Sequence, residues 1–298
     1  MKKTVFTIAL LWSLQFSLTA GAQQEKVTLR VPQFARPLVE RWTAEYRKTH
    51  ADVDFLFVNG QVENPSNSLT VTTDDEAVLF ARYAVLPVTT SQSEAERLIG
   101  SHALNNKKLK SLFFVKEDEL DDETESKGKE PGAALHIYTG NSQQSASRLY
   151  AAHLKEETVN YKGKKISGDD AFLNMAISRD PLGVTVNSLP NIYDLKSRRL
   201  KQGLALLPLD IDKQGRQLLK EGTLDDILQQ LEQAQYAEIP VGSLGFEYNH
   251  ANTVLSDFVQ WVLNFGTADV HDYGLLQLPQ KELTVQLRRM VQKDLAQK

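Results

Sequence analysis

The chain contains no cysteine among its 298 residues. This absence excludes disulfide bonds, a thiolate nucleophile and any metal site built from cysteine. It also leaves no cysteine that could carry a lipid after removal of a leader segment. For an exported chain, a periplasmic location therefore fits better than attachment to a membrane.

Catalytic motifs are also missing. The sequence has no Gly-x-Ser-x-Gly, His-Glu-x-x-His or phosphate-loop pattern. No two histidines have the spacing of a metal-binding helix, and the six stand at positions 50, 102, 136, 153, 250 and 271. We therefore predict that the chain is not an enzyme and that it uses no metal and no cofactor.

The enzymatic alternative is an envelope hydrolase that uses Ser145 as nucleophile and His153 as base. These residues are eight positions apart, which corresponds to about 12 Å along one helix. That distance is too long for the hydrogen bond that activates a nucleophile.

Only one long apolar run is present, and it lies at the N-terminus. Lys2 and Lys3 precede an apolar stretch over residues 5–18, and Ala20-Gly21-Ala22 follows it. This order is typical of a secretory signal peptide, so we predict that residues 1–22 are a signal peptide cleaved after Ala22. No later run approaches the roughly 18 to 20 residues that cross a bilayer.

The chain has little excess charge of either sign. Its formal net charge is −4, and removal of Lys2 and Lys3 with the signal peptide makes it −6. This balance does not favour a nucleic-acid partner.

The start of the mature chain has the pattern of a β-α-β unit. Residues 27–31 alternate like a strand, Pro37 begins a helix with Leu38 and Trp42 on its apolar face, and residues 54–58 form a second strand. Such a unit predicts a parallel sheet. A further apolar run over residues 77–88 predicts a buried strand at its 84–88 end.

A polar turn between a strand and a helix is predicted over residues 137–147. Its central residues are Gly140, Asn141, Ser142 and Ser145. Free N–H groups at a helix start carry roughly half a positive charge, so the turn could hold an oxyanion. The alternative is an ordinary helix start that Ser145 caps.

The remaining elements are predicted from shorter patterns. We expect a helix over 93–100, a solvated acidic loop over 117–125, two short strands over 177–186 and another strand over 204–209. Three amphipathic helices are predicted over residues 224–234, 253–265 and 281–295.

Together these landmarks resemble the phosphate-type periplasmic substrate-binding proteins of ABC transporters. Four segments carry the likeness: Leu104-Asn-Asn-Lys-Lys-Leu-Lys-Ser-Leu-Phe113, Ser145-Ala-Ser147 with Tyr150, Asp180-Pro-Leu-Gly-Val-Thr185, and Phe258 to Asn264 with Gly274-Leu-Leu-Gln-Leu-Pro279. The resemblance implies an α/β fold of the type II periplasmic binding protein class, with two lobes, a hinge and parallel-rich mixed sheets. Residues 23–88 and 189–298 would form lobe one, and residues 89–188 would form lobe two.

The resemblance also implies where a ligand binds. Two turns, one from each lobe, would hold a phosphate-like anion when the lobes close. Carried over to this chain, the implied ligand-binding residues are Gln33, Phe34, Ala35, Arg82, Gly140, Asn141, Ser142, Ser145 and Ser147.

Two positions depart from the family pattern. The first turn has no hydroxyl at residues 33–35, and Asn141 stands where the family usually has an arginine. Arg36 or Arg82 could supply the missing charge, although Arg82 could equally be a surface residue. Asp74 or Asp75 could accept a proton from hydrogen phosphate, or could be a solvated loop carboxylate.

These inferences predict an exported, monomeric substrate-binding protein that captures phosphate or a related oxyanion for the membrane permease of an ABC importer. The alternative is an envelope module of the same fold that binds a protein partner or senses a ligand without transport.

Overall fold

The computed structural model describes residues 25–60, 62, 64–115 and 134–296. Two predictions lie outside these residues, namely the signal peptide over 1–22 and the acidic loop over 117–125. In the part of the chain that is described, no helix has the length and apolar character that a membrane crossing requires.

The predicted β-α-β unit is confirmed. Strand β1 spans Glu25–Arg30, helix α1 spans Arg36–Tyr46, and strand β2 spans Val53–Val58 and pairs parallel to β1. Helix α1 buries Leu38 and Trp42 because residues three or four positions apart share one face of a helix.

The other strands are β3 (Ser68–Thr72), β4 (Val78–Thr90), β5 (His136–Gly140), β6 (Lys164–Ile166), β7 (Gly183–Ser188), β8 (Tyr193–Asp194), β9 (Arg199–Leu200), β10 (Leu204–Leu206) and β11 (Val241–Tyr248). The other helices are α2 (Glu94–Ile99), α3 (Asn106–Phe113), α4 (Ala146–His153), α5 (Ala171–Ser178), α6 (Leu189–Ile192), α7 (Lys213–Glu221), α8 (Leu224–Gln233), α9 (Thr253–Asn264) and α10 (Gln280–Ala296).

Within the described residues, nine strands form one continuous mixed sheet in the order β2-β1-β3-β11-β4-β7-β5-β6, with β10 attached to β4. Parallel pairing is found toward both ends, where β1 pairs with β2 and β3, and β5 pairs with β6 and β7. Antiparallel pairing joins the two ends through the central strands. The result is the mixed α/β, two-lobe architecture that was predicted.

Strand β4 connects the two lobes. Its first half, residues 78–84, pairs with β11, and its second half, residues 85–89, pairs with β7. All but two of its thirteen residues are buried, which explains the nearly continuous apolar sequence. The exact lobe boundaries, 88/89 and 188/189, stay a prediction.

Several predicted elements differ from the observed ones. The two short strands expected over 177–186 are wrong in their first half, because Ile177 belongs to α5. Leu173 and Ile177 lie one turn apart and are both fully buried, so this stretch packs as a helix. Strand β11 and helix α7 were not predicted, and the strand expected over 204–209 ends at Leu206.

Candidate functional site

Two strand-to-helix turns face one cavity of about 470 Å³. The first turn follows β1 and contributes Gln33 and Phe34, and the second follows β5 and contributes Ser142 and Gln144. The loop before α5 closes a further side. The remaining lining residues are Arg30, Val31, Pro32, Val58, Asn59, Val71, Gly168, Asp169, Asp170 and Phe172.

The first turn leads into α1 without a side-chain cap. Ala35 occupies the N-cap position, and no cap hydrogen bond from a side chain is found among the described residues. The turn is instead closed by its own backbone, since the Ala35 N–H donates to the Pro32 carbonyl at 3.0 Å. Phe34 is buried and packs on the ring of Tyr83, with 5.2 Å between ring centroids.

Arg36 begins α1, and its side chain contacts Glu40 and the cavity-lining residue Asn59. Its Nε lies 2.8 Å from Glu40 Oε1, and its Nη1 donates to Asn59 Oδ1 at 3.3 Å. Its guanidinium also lies 5.1 Å from the centroid of the Phe57 ring. The positive charge of Arg36 is therefore paired with groups of lobe one.

The second turn holds a carboxylate of the chain itself. Ser145 is the N-cap residue of α4, and its Oγ donates to Asp170 Oδ1 at 2.8 Å. The N–H of Ala146, the first residue of the helix, donates to Asp170 Oδ2 at 2.6 Å. Asp170 is 5% exposed, and it lies at the end of the loop that precedes α5. An anion therefore already occupies the start of α4.

The burial of Asp170 has an electrostatic cost. Desolvation raises the pKa of the Asp170 carboxyl from 3.8 to about 6, while the hydrogen bonds from Ala146 and Ser145 act in the opposite direction. Loss of hydration is the larger effect. At neutral pH the carboxyl is nevertheless mostly ionised.

Gly140 permits this arrangement. A Cβ atom at position 140 would lie 2.3 Å from Ser145 Oγ and 2.4 Å from Asp170 Oδ1. The glycine N–H donates to the fully buried Ser147 Oγ at 2.9 Å, and the Ser147 N–H donates to Ser145 Oγ at 3.2 Å. The hydroxyls of Ser145 and Ser147 thus hydrogen-bond inside the protein.

The structure places three of the nine predicted site residues in the lining of the cavity. Gln33, Phe34 and Ser142 line the cavity, and Ala35 is buried beneath the first turn. Gly140, Ser145 and Ser147 are buried and lie outside the cavity lining, and Ser145 hydrogen-bonds to the lining residue Asp170. Asn141 is exposed, and its Nδ2 donates to Ser167 Oγ at 3.1 Å.

Arg82 lies apart from these residues. Its guanidinium donates to the Gln277 carbonyl from Nε at 3.2 Å and from Nη2 at 3.1 Å. Neighbouring side chains of a strand point to opposite faces, and it is Tyr83 that faces Phe34 and the first turn.

The alternative roles weighed for other residues are not supported by position. Asp74 Oδ1 accepts from the Glu76 N–H at 2.9 Å within the β3–β4 loop, and Asp75 lines a separate surface with Gln286. Ser145 and His153 flank opposite ends of α4, and His153 Nε2 contacts the Ala237 carbonyl at 2.6 Å.

Sequence reasoning missed Asp170, Asn59, Gln144 and Phe172. An Asp-Asp pair before a helix signals an N-terminus for that helix. No local pattern indicates that one of these carboxylates reaches back to a helix that begins 24 positions earlier.

Comparisons with known proteins support the fold. No protein-family model matches the chain, and no curated protein matches it in sequence. Among solved structures, it is similar to a protein described as a phosphate ABC transporter substrate-binding protein of Clostridium perfringens, solved with bound phosphate. The identity is 9%, the TM-score is 0.55, and the match covers 85% of this chain and 100% of that one.

A second similar structure is an ABC-type phosphate transport receptor of Vibrio cholerae, with 9% identity, a TM-score of 0.50, and coverage of 85% of this chain and 100% of that one. At such identities the likeness concerns the fold alone. This chain thus has the fold of the phosphate-type substrate-binding proteins, as the sequence predicted.

Proposed function

We propose that this chain is an exported binding protein that captures a small ligand in the cavity between its two turns and delivers it to the permease of an ABC importer. The observation that carries the proposal is the convergence of Gln33 and Phe34 from one lobe with Ser142 and Gln144 from the other on one cavity. A ligand that contacts both lobes stabilises their closed arrangement.

The cavity has the size and the composition of a small-molecule site. About 470 Å³ falls within the usual range of ligand pockets. Buried Phe34 and half-exposed Phe172 supply apolar surface, while Gln33, Asn59 and Gln144 supply amide donors and acceptors. Binding without catalysis is consistent with this set.

Phosphate or a related oxyanion is the ligand that the family resemblance implies. In its favour are the exposed side chains of Ser142 and Arg30 in the cavity lining. Against it stands the carboxylate of Asp170 at the start of α4. The identity of the ligand is therefore decided by titration rather than by resemblance.

Calorimetric titration of the mature, exhaustively dialysed protein tests the proposal. The panel contains phosphate, sulfate and molybdate together with neutral and cationic small molecules. We expect micromolar or tighter binding of at least one compound, corresponding to about −8 kcal/mol or better. Ser142→Trp, which fills the cavity, should abolish that binding, whereas Ser101→Trp, at an exposed position away from the cavity, should not.

The envelope module that binds a protein or senses a ligand without transport remains the second candidate. The observation that favours it is the occupied start of α4, since an importer of oxyanions would keep those donors free. No binding by wild-type protein anywhere in the panel would overturn capture of a small ligand and favour this module.

A further inference from the structure

Asp170 makes two contacts that a bound anion would make at the second turn. Its Oδ2 accepts from the first helical N–H of α4, that of Ala146, at 2.6 Å, and its Oδ1 accepts from the hydroxyl of the N-cap residue Ser145 at 2.8 Å. Anions at helix N-termini are held by such backbone donors. Here the anion is part of the chain.

The carboxylate is fixed in this place from several sides. The backbone carbonyl of Asp170 accepts from Asn187 Nδ2 at 2.7 Å, which ties the residue to β7. Gly140 leaves the space into which Oδ1 fits, with only 2.4 Å between that oxygen and the position of an added Cβ. Asp170 is thus a built-in feature of the cavity wall.

The charges that line the cavity do not favour an anionic ligand. Within the described lining, Arg30 is the one cation, and it is exposed, whereas Asp169 and Asp170 both carry carboxylates. A second anion placed at the α4 start would have to lie beside an ionised, buried carboxylate. Like charges repel strongly where water is scarce.

We propose that Asp170 is a specificity-determining residue of this cavity, whose carboxylate takes the place of a bound anion and restricts the site to ligands without net negative charge. This inference rests on the proposed function and specifies its ligand class. A fitting ligand is a small polar molecule, neutral or cationic.

The other lining groups suit that class. Gln144 offers an amide oxygen and N–H groups, Asn59 offers the N–H groups of an amide whose oxygen accepts from Arg36, and Ser142 offers a hydroxyl. Asp169 accepts from the Ala171 N–H at 2.6 Å through Oδ1, and its second oxygen can accept from a ligand. Phe172, which is 45% exposed, offers a ring face to an apolar or cationic part of a ligand.

Titration with inorganic phosphate at pH 7.5 tests the inference on three proteins. Wild-type protein should bind phosphate no more tightly than millimolar. Asp170→Ala vacates the start of α4, and it should bind phosphate at least tenfold more tightly than wild type. Asp169→Ala removes the same charge from the adjacent residue without freeing the α4 donors, and it should gain less than threefold.

A fourth protein, Asp170→Asn, keeps the test valid if Asp170→Ala does not fold. Asp170→Asn keeps the side-chain volume and loses the charge, so it should fold if Asp170→Ala does not, and it should also bind phosphate more tightly than wild type. Micromolar phosphate binding by wild type would overturn the inference. So would the lack of any gain in the folded Asp170 variants.

Failure here is distinct from failure of the proposed function. Phosphate binding by wild type would contradict the role of Asp170 and would leave capture of a small ligand intact. If wild type binds no compound of the panel, capture of a small ligand is contradicted. A gain of phosphate binding in Asp170→Ala would still establish that the carboxylate occupies an anion position.

Discussion

The two turns of the cavity begin alike and end differently. Each follows a parallel strand and leads into a helix, α1 in the first case and α4 in the second. Helix α1 has Ala35 at its N-cap position and no side-chain cap within the described residues. Helix α4 is capped by Ser145 and carries the carboxylate of Asp170.

The N–H groups at a helix start can be paired with negative charge in two ways. A ligand can supply the negative charge, or a carboxylate from elsewhere in the chain can supply it. The second arrangement, found at α4, places a carboxylate in the lining of the cavity. The two turns therefore contribute differently, one by shape and one by charge.

The close approach at Gly140 should be the most sensitive feature of the second turn. Gly140→Ala places a Cβ 2.3 Å from Ser145 Oγ and 2.4 Å from Asp170 Oδ1, so both side chains must move. We expect a loss of about 3 kcal/mol in the free energy of unfolding, measured by denaturant titration. Gly60→Ala, where no atom lies within 4 Å, should change it by less than about 0.5 kcal/mol. Equal effects of the two changes would contradict the packed second turn.

The charge at the second turn should make stability depend on pH. The pKa of Asp170 is raised to about 6 in the folded protein, above its ordinary 3.8, so the folded state binds the proton more tightly. The stabilisation from that proton is present at low pH and is lost as the pH rises through about 6. The free energy of unfolding of wild type, taken relative to that of Asp170→Asn, should therefore fall by about 2 kcal/mol between about pH 4 and about pH 7.

Denaturant titrations of both proteins across this range give the measurement, and Asp169→Asn serves as the control for net charge. If the difference in free energy of unfolding between wild type and Asp170→Asn stays constant with pH, the Asp170 carboxyl is not desolvated.

The hydroxyl of Ser147 should matter more than the side chains of the first turn. Ser147→Ala leaves the buried N–H of Gly140 without its acceptor, so we expect a loss of about 1 to 2 kcal/mol in the free energy of unfolding. Gln33→Ala, at an exposed position of the first turn, should cost less than about 0.5 kcal/mol. If thermal unfolding midpoints of the two variants coincide, the contrast between the turns is not real.

Much of the fold could be predicted because its signals are local. Helix α1 follows from the spacing of Leu38, Trp42 and Tyr46, and β4 follows from a nearly continuous apolar run. Strand β11 was missed because Gly242 and Gly245 weaken its strand pattern. Those glycines lie where Tyr83 and Leu79 approach the strand closely, which is a property of the packing.

The sequence predicted the two turns of the candidate site but not the contacts between distant segments. The sequence indicated both turns, since strand, polar residues and helix follow one another along the chain. Asp170 escaped detection because its partner Ser145 is 25 positions away, and only the pairing of β5 with β7 and the packing of α5 bring the two together. Contacts of this kind depend on the assembled sheet.

A crystal structure of the protein grown with a high concentration of phosphate at pH 7.5 would test the central claim most directly. We expect Asp170 Oδ1 and Oδ2 on Ser145 Oγ and the Ala146 N–H, with no phosphate at the start of α4. A phosphate on those two donors, with the Asp170 side chain rotated away, would contradict the claim that the chain supplies its own anion.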